Sequence, residues 1–283
     1  PIYATPATKD VVEFMLRDTA KIERYDAEFR QKKHIGAPDE REPLFTEDDV
    51  EQTCKQIVEV PYVRVKNEWF EINDKVRLKF YDAGHILGSA ISVLEIDEPD
   101  GKKRVLYSGD MGPPGMPLLY DPEIPYEDID TVILESTYGN RVHDKESDAE
   151  QRLADTVNEV YERGGKMIVP AFSLGRTQGL VYILHRLTDE GRIPRLPIYV
   201  DSPLATNLTE VYQKHIGNYD VESWHDFDTP DHEPLAFRNL TYTQSTEESK
   251  ELNTKKGPFM IISASGDDDG WQGGSSFEKF NYG

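Results

Sequence analysis

Cysteine is almost missing from this chain: Cys54 stands alone among 283 residues. That excludes an intramolecular disulfide framework and a Cys-based structural zinc site, so any metal has to be held by histidine and carboxylates. Long hydrophobic runs are missing too. The longest uncharged apolar candidates, 167–175 and 257–266, reach about ten residues, well short of the ~18 of a membrane span. The expectation is a soluble, cytoplasmic protein with no membrane partner. Positive charge falls short of negative, 32 Lys and Arg against 53 Asp and Glu, for a formal net charge of −21. Such a field opposes indiscriminate binding to nucleic acid, which Lys and Arg drive by neutralising phosphates. A nucleic-acid substrate therefore needs a local exception. The chain opens on Pro1 rather than Met and carries no basic and apolar leader, which reads as an internal fragment.

What is present is globular. Apolar residues make up 37% of the chain, enough for a buried core, and the length suits two ordinary domains. Val11, Val12, Met15, Leu16, Thr19 and Ile22 recur at three-and-four spacing and predict an amphipathic helix from Thr8 to about Lys33, ending near Gly36 and Pro38. Thr46 is a candidate N-cap for a second helix, Glu47 to Val58, behind an acidic first turn. Strand-like runs follow at 76–81, 90–96, 105–107 and 131–134 and read as one sheet. From about Glu146 the rhythm alternates: helix to Glu162, strand 167–169, helix 176–187, strand 198–200, helix from Leu204 to about His215, and a last strand, 259–262. Such alternation predicts a parallel α/β unit. The acidic stretch 220–233 reads as a loop-rich excursion.

Polar residues gather where predicted strands end. Asp82-Ala83-Gly84-His85-Ile86-Leu87-Gly88-Ser89 follows the first strand, and its glycines let the backbone turn and present His85, a metal-ligand type; the plainer reading is a loop histidine. Ser108-Gly109-Asp110 closes the next, where a carboxylate could bridge two metal ions or simply open a loop. Glu135-Ser136-Thr137 closes a third, with capping or ion pairing as the plainer role of Glu135. Convergence of such groups at strand ends is how α/β enzymes build sites. Pro170-Ala171-Phe172-Ser173-Leu174-Gly175-Arg176-Thr177-Gln178 joins a strand to a helix whose amides, hydroxyls and guanidinium suit a phosphate, or else merely cap the helix. His215, His225 and His232 are irregularly spaced and read as surface residues.

Together these segments resemble the β-CASP branch of the metallo-β-lactamase fold, a family of RNA-processing exonucleases and endonucleases. The resemblance runs from Pro1 to Gly266 and includes Pro1-Ile2-Tyr3-Ala4-Thr5, Asp201-Ser202-Pro203-Leu204-Ala205 and Ile262-Ser263-Ala264-Ser265-Gly266. It implies an α/β fold: the later part of a metallo-β-lactamase αββα domain at 1–138, then an inserted β-CASP α/β domain with a parallel sheet at 139–266. It implies a zinc-dependent hydrolase of RNA phosphodiester bonds in RNA processing or decay, with two zinc ions. His85 looks like a ligand of one zinc and Asp110 like the carboxylate bridging both. Glu135 looks like an acidic residue supporting them, the three making the catalytic set. Ser173, Arg176, Thr177, Ser263, Ser265 and Gly266 would face RNA phosphates; RNA is the expected partner, with a homodimer as the expected assembly.

The departures carry equal weight. The family has an earlier Asp and a His-x-His-x-Asp-His block before the segment matching Pro1, and two further histidines downstream. With only His85 and Asp110 to offer, this chain alone is expected to be inactive. After Gly266 the family continues Met-x-x-Gly-Gly-Arg, two residues, then His-His-Leu. Residues 267–283 read otherwise, and permitted codons for them restore that pattern once the first base is dropped. This motivates the expectation of a frameshifted, loosely held tail. Two alternatives stay open: a non-catalytic RNA-binding or scaffold subunit of the same fold, and a metallo-hydrolase of small esters or thioesters.

Overall fold

The structure is a computed structural model that describes residues 1–37, 41–140, 146–226 and 233–263. The chain divides into two compact units, Pro1–Ser136 and Thr137–Gly283, each treated on its own below.

The first unit begins with strand β1 (Ile2–Ala4) and helix α1 (Pro6–Lys33). Thr5 caps the helix, its hydroxyl accepting the Thr8 N–H, and Pro6 occupies the first turn, where its missing N–H costs nothing. The helix stops at His34, which adopts the left-handed conformation (φ 55°) and returns its N–H to the last carbonyls. Ala7, Val11, Ala20 and Ala27 form the buried stripe, so small side chains let α1 sit close to its neighbours.

Helix α2 (Glu47–Cys54) starts at Thr46 with a reciprocal capping box to Asp49, as expected, but ends earlier than the predicted Val58. Ile57–Glu59 instead forms β2, paired in parallel with β1. Two β-branched residues placed beside an open strand edge are better satisfied by ladder bonds than by another helical turn.

A five-stranded sheet follows, in the order β3 (Phe70–Asn73), β4 (Val76–Asp82), β5 (Ala90–Glu98), β6 (Gly101–Tyr107), β7 (Thr131–Ile133). The first four are antiparallel, while β6 and β7 run parallel. Consequently β4, β6 and β7 all point the same way and end at the same sheet edge. Alternation sorts one face into Tyr81, Ile91 and Val93 and the other into Leu78, Phe80 and Leu94, and each face packs a hydrophobic cluster.

The second unit contains α3 (Glu146–Glu162), β8 (Lys166–Pro170), α4 (Arg176–Asp189), β9 (Ile198–Asp201), α5 (Pro203–Lys214), α6 (Val221–Asp226), β10 (Leu240–Tyr242), α7 (Thr246–Thr254) and β11 (Phe259–Ser263). Its four strands form an all-parallel sheet in the order β10-β9-β11-β8. The central β11 is buried throughout. This is the parallel α/β unit that the alternation predicts. α6, β10 and α7 carry no strong periodic signal and were not anticipated. Part of the acidic excursion, 227–232, lies outside the described residues.

Candidate active site and nucleic-acid interface

At the common end of β4, β6 and β7 three turns meet. Gly112 donates its N–H to the Ala83 carbonyl at 2.8 Å. A Cβ at Gly112 would stand 1.8 Å from the Gly84 oxygen and 3.0 Å from the His85 Cα, so the turn after β6 presses directly on the turn after β4. Ser108, buried at the end of β6, donates its N–H to the Ile133 carbonyl of β7, and its hydroxyl accepts the Glu135 N–H at 3.0 Å. The segments carrying His85, Asp110 and Glu135 are thereby brought to one edge. His85 and Asp110 are exposed there and Glu135 is half-buried.

The His85 turn is held from several sides. Gly84 (φ 62°) and Gly88 (φ 89°) take the left-handed conformations that the turn requires. The Ser89 hydroxyl accepts the N–H groups of His85 and Ile86 at 3.1 and 3.3 Å, and Tyr62 donates its hydroxyl to the Ser89 carbonyl at 2.8 Å. Asp82 is buried; its Oδ1 accepts the Gly84 N–H at 2.9 Å and its Oδ2 meets Arg64 at 2.6 Å. Burial pushes the Asp82 carboxyl up, against the opposing pull of the Gly84 amide and Arg64. The Arg64 guanidinium lies between the rings of Tyr62 and Tyr120, at 4.4 and 4.6 Å from their centroids, a desolvated cation–π pair. Sequence reading missed Arg64, Tyr62 and Asp82 as support for His85. Aspartate three residues before the histidine was a visible signal, whereas Arg64 reaches it only through the fold.

Further along β4, Lys79 and Tyr81 converge on Glu127, with Lys79 at 2.8 Å and Tyr81 donating its hydroxyl. Burial alone would raise the Glu127 carboxyl, yet these hydrogen bonds outweigh it and hold the group below its ordinary range.

In the second unit the phosphate candidates fall at the carboxyl end of the parallel sheet. Ser263 ends β11 opposite Pro170 of β8 and Asp201 of β9, and its carbonyl accepts the Ala171 N–H at 2.8 Å. The Ser263 hydroxyl is buried without a hydrogen-bond partner among the described residues. Ser173 and Ser202 bring their hydroxyls within 3.2 Å, and Ser202 also caps α5. Gln178, fully buried, accepts the Gly175 N–H and donates to the Ser173 carbonyl and the Thr209 hydroxyl, fixing the loop between β8 and α4. Arg176 is exposed beside the Phe172 ring, 5.3 Å from its centroid. Thr177 is buried and donates its hydroxyl to the Phe172 carbonyl at 2.8 Å, which makes it a loop fastener in this arrangement. Ser265, Gly266 and residues 267–283 lie outside the described residues, as do His232 and the His225 side chain; His215 forms the C-cap of α5.

Among the described residues no group of three or more His, Cys, Asp or Glu gathers as a metal shell. His85 and Asp110 are residues of ligand type, and two side chains fall short of the three or four protein ligands that zinc takes, so the described residues alone do not fit a complete site.

An antiparallel-to-parallel sheet with ligand-type residues at one edge, followed by a parallel α/β unit with hydroxyls at its carboxyl edge, defines a metallo-β-lactamase-type protein with a second α/β module. Residues 177–276 match the Beta-Casp domain family, a span that continues past Gly266. The chain is 31% identical over 267 residues to Ribonuclease TTHA0252 of Thermus thermophilus, covering 94% of this chain and 55% of that protein. It is 30% identical to the RNase J-like protein of Methanocaldococcus jannaschii, covering 76% of this chain and 45% of the relative. It is 29% identical to Cleavage and polyadenylation specificity factor 73 of Drosophila melanogaster, covering 93% and 35%. The chain spans about half the length, or less, of these curated relatives. It carries a Beta-Casp domain and is similar over most of its length to nucleases of the β-CASP branch of the metallo-β-lactamase fold, which are metal-dependent. No helix among the described residues is long and apolar enough to cross a membrane.

Proposed function

We propose that the polypeptide carrying this chain hydrolyses RNA phosphodiester bonds in RNA processing or decay. The observation that carries the reading is the locked junction of the turns bearing His85 and Asp110, closed by the Gly112 N–H on the Ala83 carbonyl. An imidazole and a carboxylate fixed at one sheet edge are the donor types that zinc accepts, and zinc is the metal we assign, with its remaining ligands supplied by sequence not included in this chain. Two such ions would provide the activated water and charge stabilisation that phosphodiester hydrolysis needs. Glu135 is assigned to support that edge. Ser173, Arg176 and Ser263, with Ser265 and Gly266, are assigned to backbone phosphates, and Thr177 to holding their loop. The names of the relatives support the substrate: ribonuclease, RNase J-like protein, and a cleavage and polyadenylation factor. The setting we assign is the cytoplasm and the assembly a homodimer, the latter open to light scattering on the full-length protein.

The test is hydrolysis of end-labelled single-stranded RNA by the full-length protein. The reading expects cleavage that stops with a chelator and returns with added zinc. RNA binding without cleavage, unaffected by zinc, would instead support the scaffold reading.

A further inference from the structure

We infer that the first turn of α1 is the positioning element of the His85 turn, acting through the hydroxyls of Thr5 and Thr8 on the Gly88 carbonyl. This inference rests on His85 being a functional side chain. The segment Ile2 to Thr8 lies about 80 residues away in sequence, and nothing in its composition suggests a role at the site. In the fold, Thr8 Oγ1 donates to the Gly88 oxygen at 2.7 Å, and Thr5 Oγ1 stands 3.0 Å from that oxygen and 2.9 Å from Thr8 Oγ1. The Thr8 N–H donates to Thr5 Oγ1 at 3.1 Å. A continuous chain of donors therefore runs from the helix backbone, through Thr5 to Thr8, and ends on the Gly88 carbonyl, next to the Ser89 carbonyl that closes the turn by accepting the Ala83 N–H.

The contact permits little adjustment. A Cβ at Gly88 would stand 2.6 Å from both the Thr8 nitrogen and its hydroxyl, and the residue already sits at φ 89°. The helix can reach this carbonyl only because position 88 has no side chain. Thr5 is buried, so its hydroxyl has no water to fall back on. With α1 docked in this way, Gly88 is fixed from one side while Ser89 and Asp82 fix the amides of Ile86, His85 and Gly84 from the other. His85 is exposed, so its own side chain is not packed into place. Its direction is set by its backbone, and its backbone by these anchors. Catalytic groups need placement to within about 0.5 Å, and support of this kind provides it.

Thr8→Val in the full-length protein tests this, because valine keeps the shape and removes the hydroxyl that accepts from Thr5 and donates to Gly88, while Thr5 still caps the helix. The measurements are amide hydrogen exchange over residues 83–89, the His85 ring resonances by NMR, and kcat and KM for RNA hydrolysis. The expected result is faster exchange confined to the turn, displaced His85 resonances, and kcat lower by roughly tenfold to a hundredfold with KM within about twofold. Thr8→Ser, which restores the hydroxyl, should return all three toward the parent. Unchanged exchange and His85 resonances in Thr8→Val, or the same losses in Thr8→Ser, would overturn the inference; so would faster exchange spread over the whole unit. Failure of the parent to cleave RNA would instead defeat the proposed function, leaving exchange and the ring resonances to decide the positioning role.

Discussion

At the scale of the residue, two positions show how little room the site leaves. Gly112 has backbone where a side chain would go, 1.8 Å from the Gly84 oxygen, and backbone cannot move aside as a flexible side chain can. Gly112→Ala should therefore cost about 3 kcal/mol, the upper part of the ordinary overpacking range, read by urea unfolding. A loss below about 0.5 kcal/mol would mean that the turns do not touch. Arg64 and Asp82 make the second case. Replacing Arg64 by Met leaves a buried carboxylate with its counter-charge removed, for which a loss of about 3 to 5 kcal/mol is expected. Acidification should relieve part of it, since protonating Asp82 removes the unpaired charge. An Arg64→Met protein as stable as its parent at neutral pH would show the pair to be dispensable.

At the scale of the element, strand β4 explains a pH dependence. The Glu127 carboxyl, held low by Lys79 and Tyr81, stabilises the folded state above its unfolded pKa of about 4.3. That contribution fades as pH falls below this value towards the depressed folded one. Comparing parent with Glu127→Gln by denaturant titration from pH 3 to 7, the difference between them should shrink on acidification; a constant difference would contradict the assignment. Strand β11 gives the opposite kind of test. Its terminal Ser263 hydroxyl is buried and unpartnered among the described residues, so Ser263→Ala should leave stability unchanged or raise it by up to about 1 kcal/mol, while weakening RNA binding.

The elements themselves were legible to different degrees. α1, the strand runs read at 76–81 and 90–96, and the alternation after Glu146 were readable because one periodicity dominates each. β1, β2 and β3 were not, since each has three or four residues and owes its existence to a partner. The end of α2 at Cys54 was misplaced for that reason: Ile57 continues the helical stripe but is captured by β1. Of the site, the turn residues themselves were visible as Gly-flanked polar groups after apolar runs. The supports were not, because Thr5, Thr8, Tyr62 and Arg64 meet the His85 turn only in three dimensions.

At the scale of the molecule, a net charge of −21 would have to coexist with the polyanionic substrate proposed above. Acidic residues outnumber basic ones, 53 to 32, so each cation at the interface weighs heavily. Arg176→Ala in the full-length protein should reduce the slope of log affinity against log salt by about one unit; an unchanged slope would return Arg176 to packing on Phe172. The proposal places His85 and Asp110, brought to one sheet edge by the fold, in a metal-dependent RNA hydrolase. Its most direct measurement is metal content alongside RNA cleavage in full-length parent and Asp110→Ala. The account predicts about two zinc ions per parent chain, and for the variant a folded protein that has lost zinc and at least a thousandfold in rate, on the order of 4 kcal/mol in barrier. Near-parental cleavage with full zinc in Asp110→Ala would contradict it.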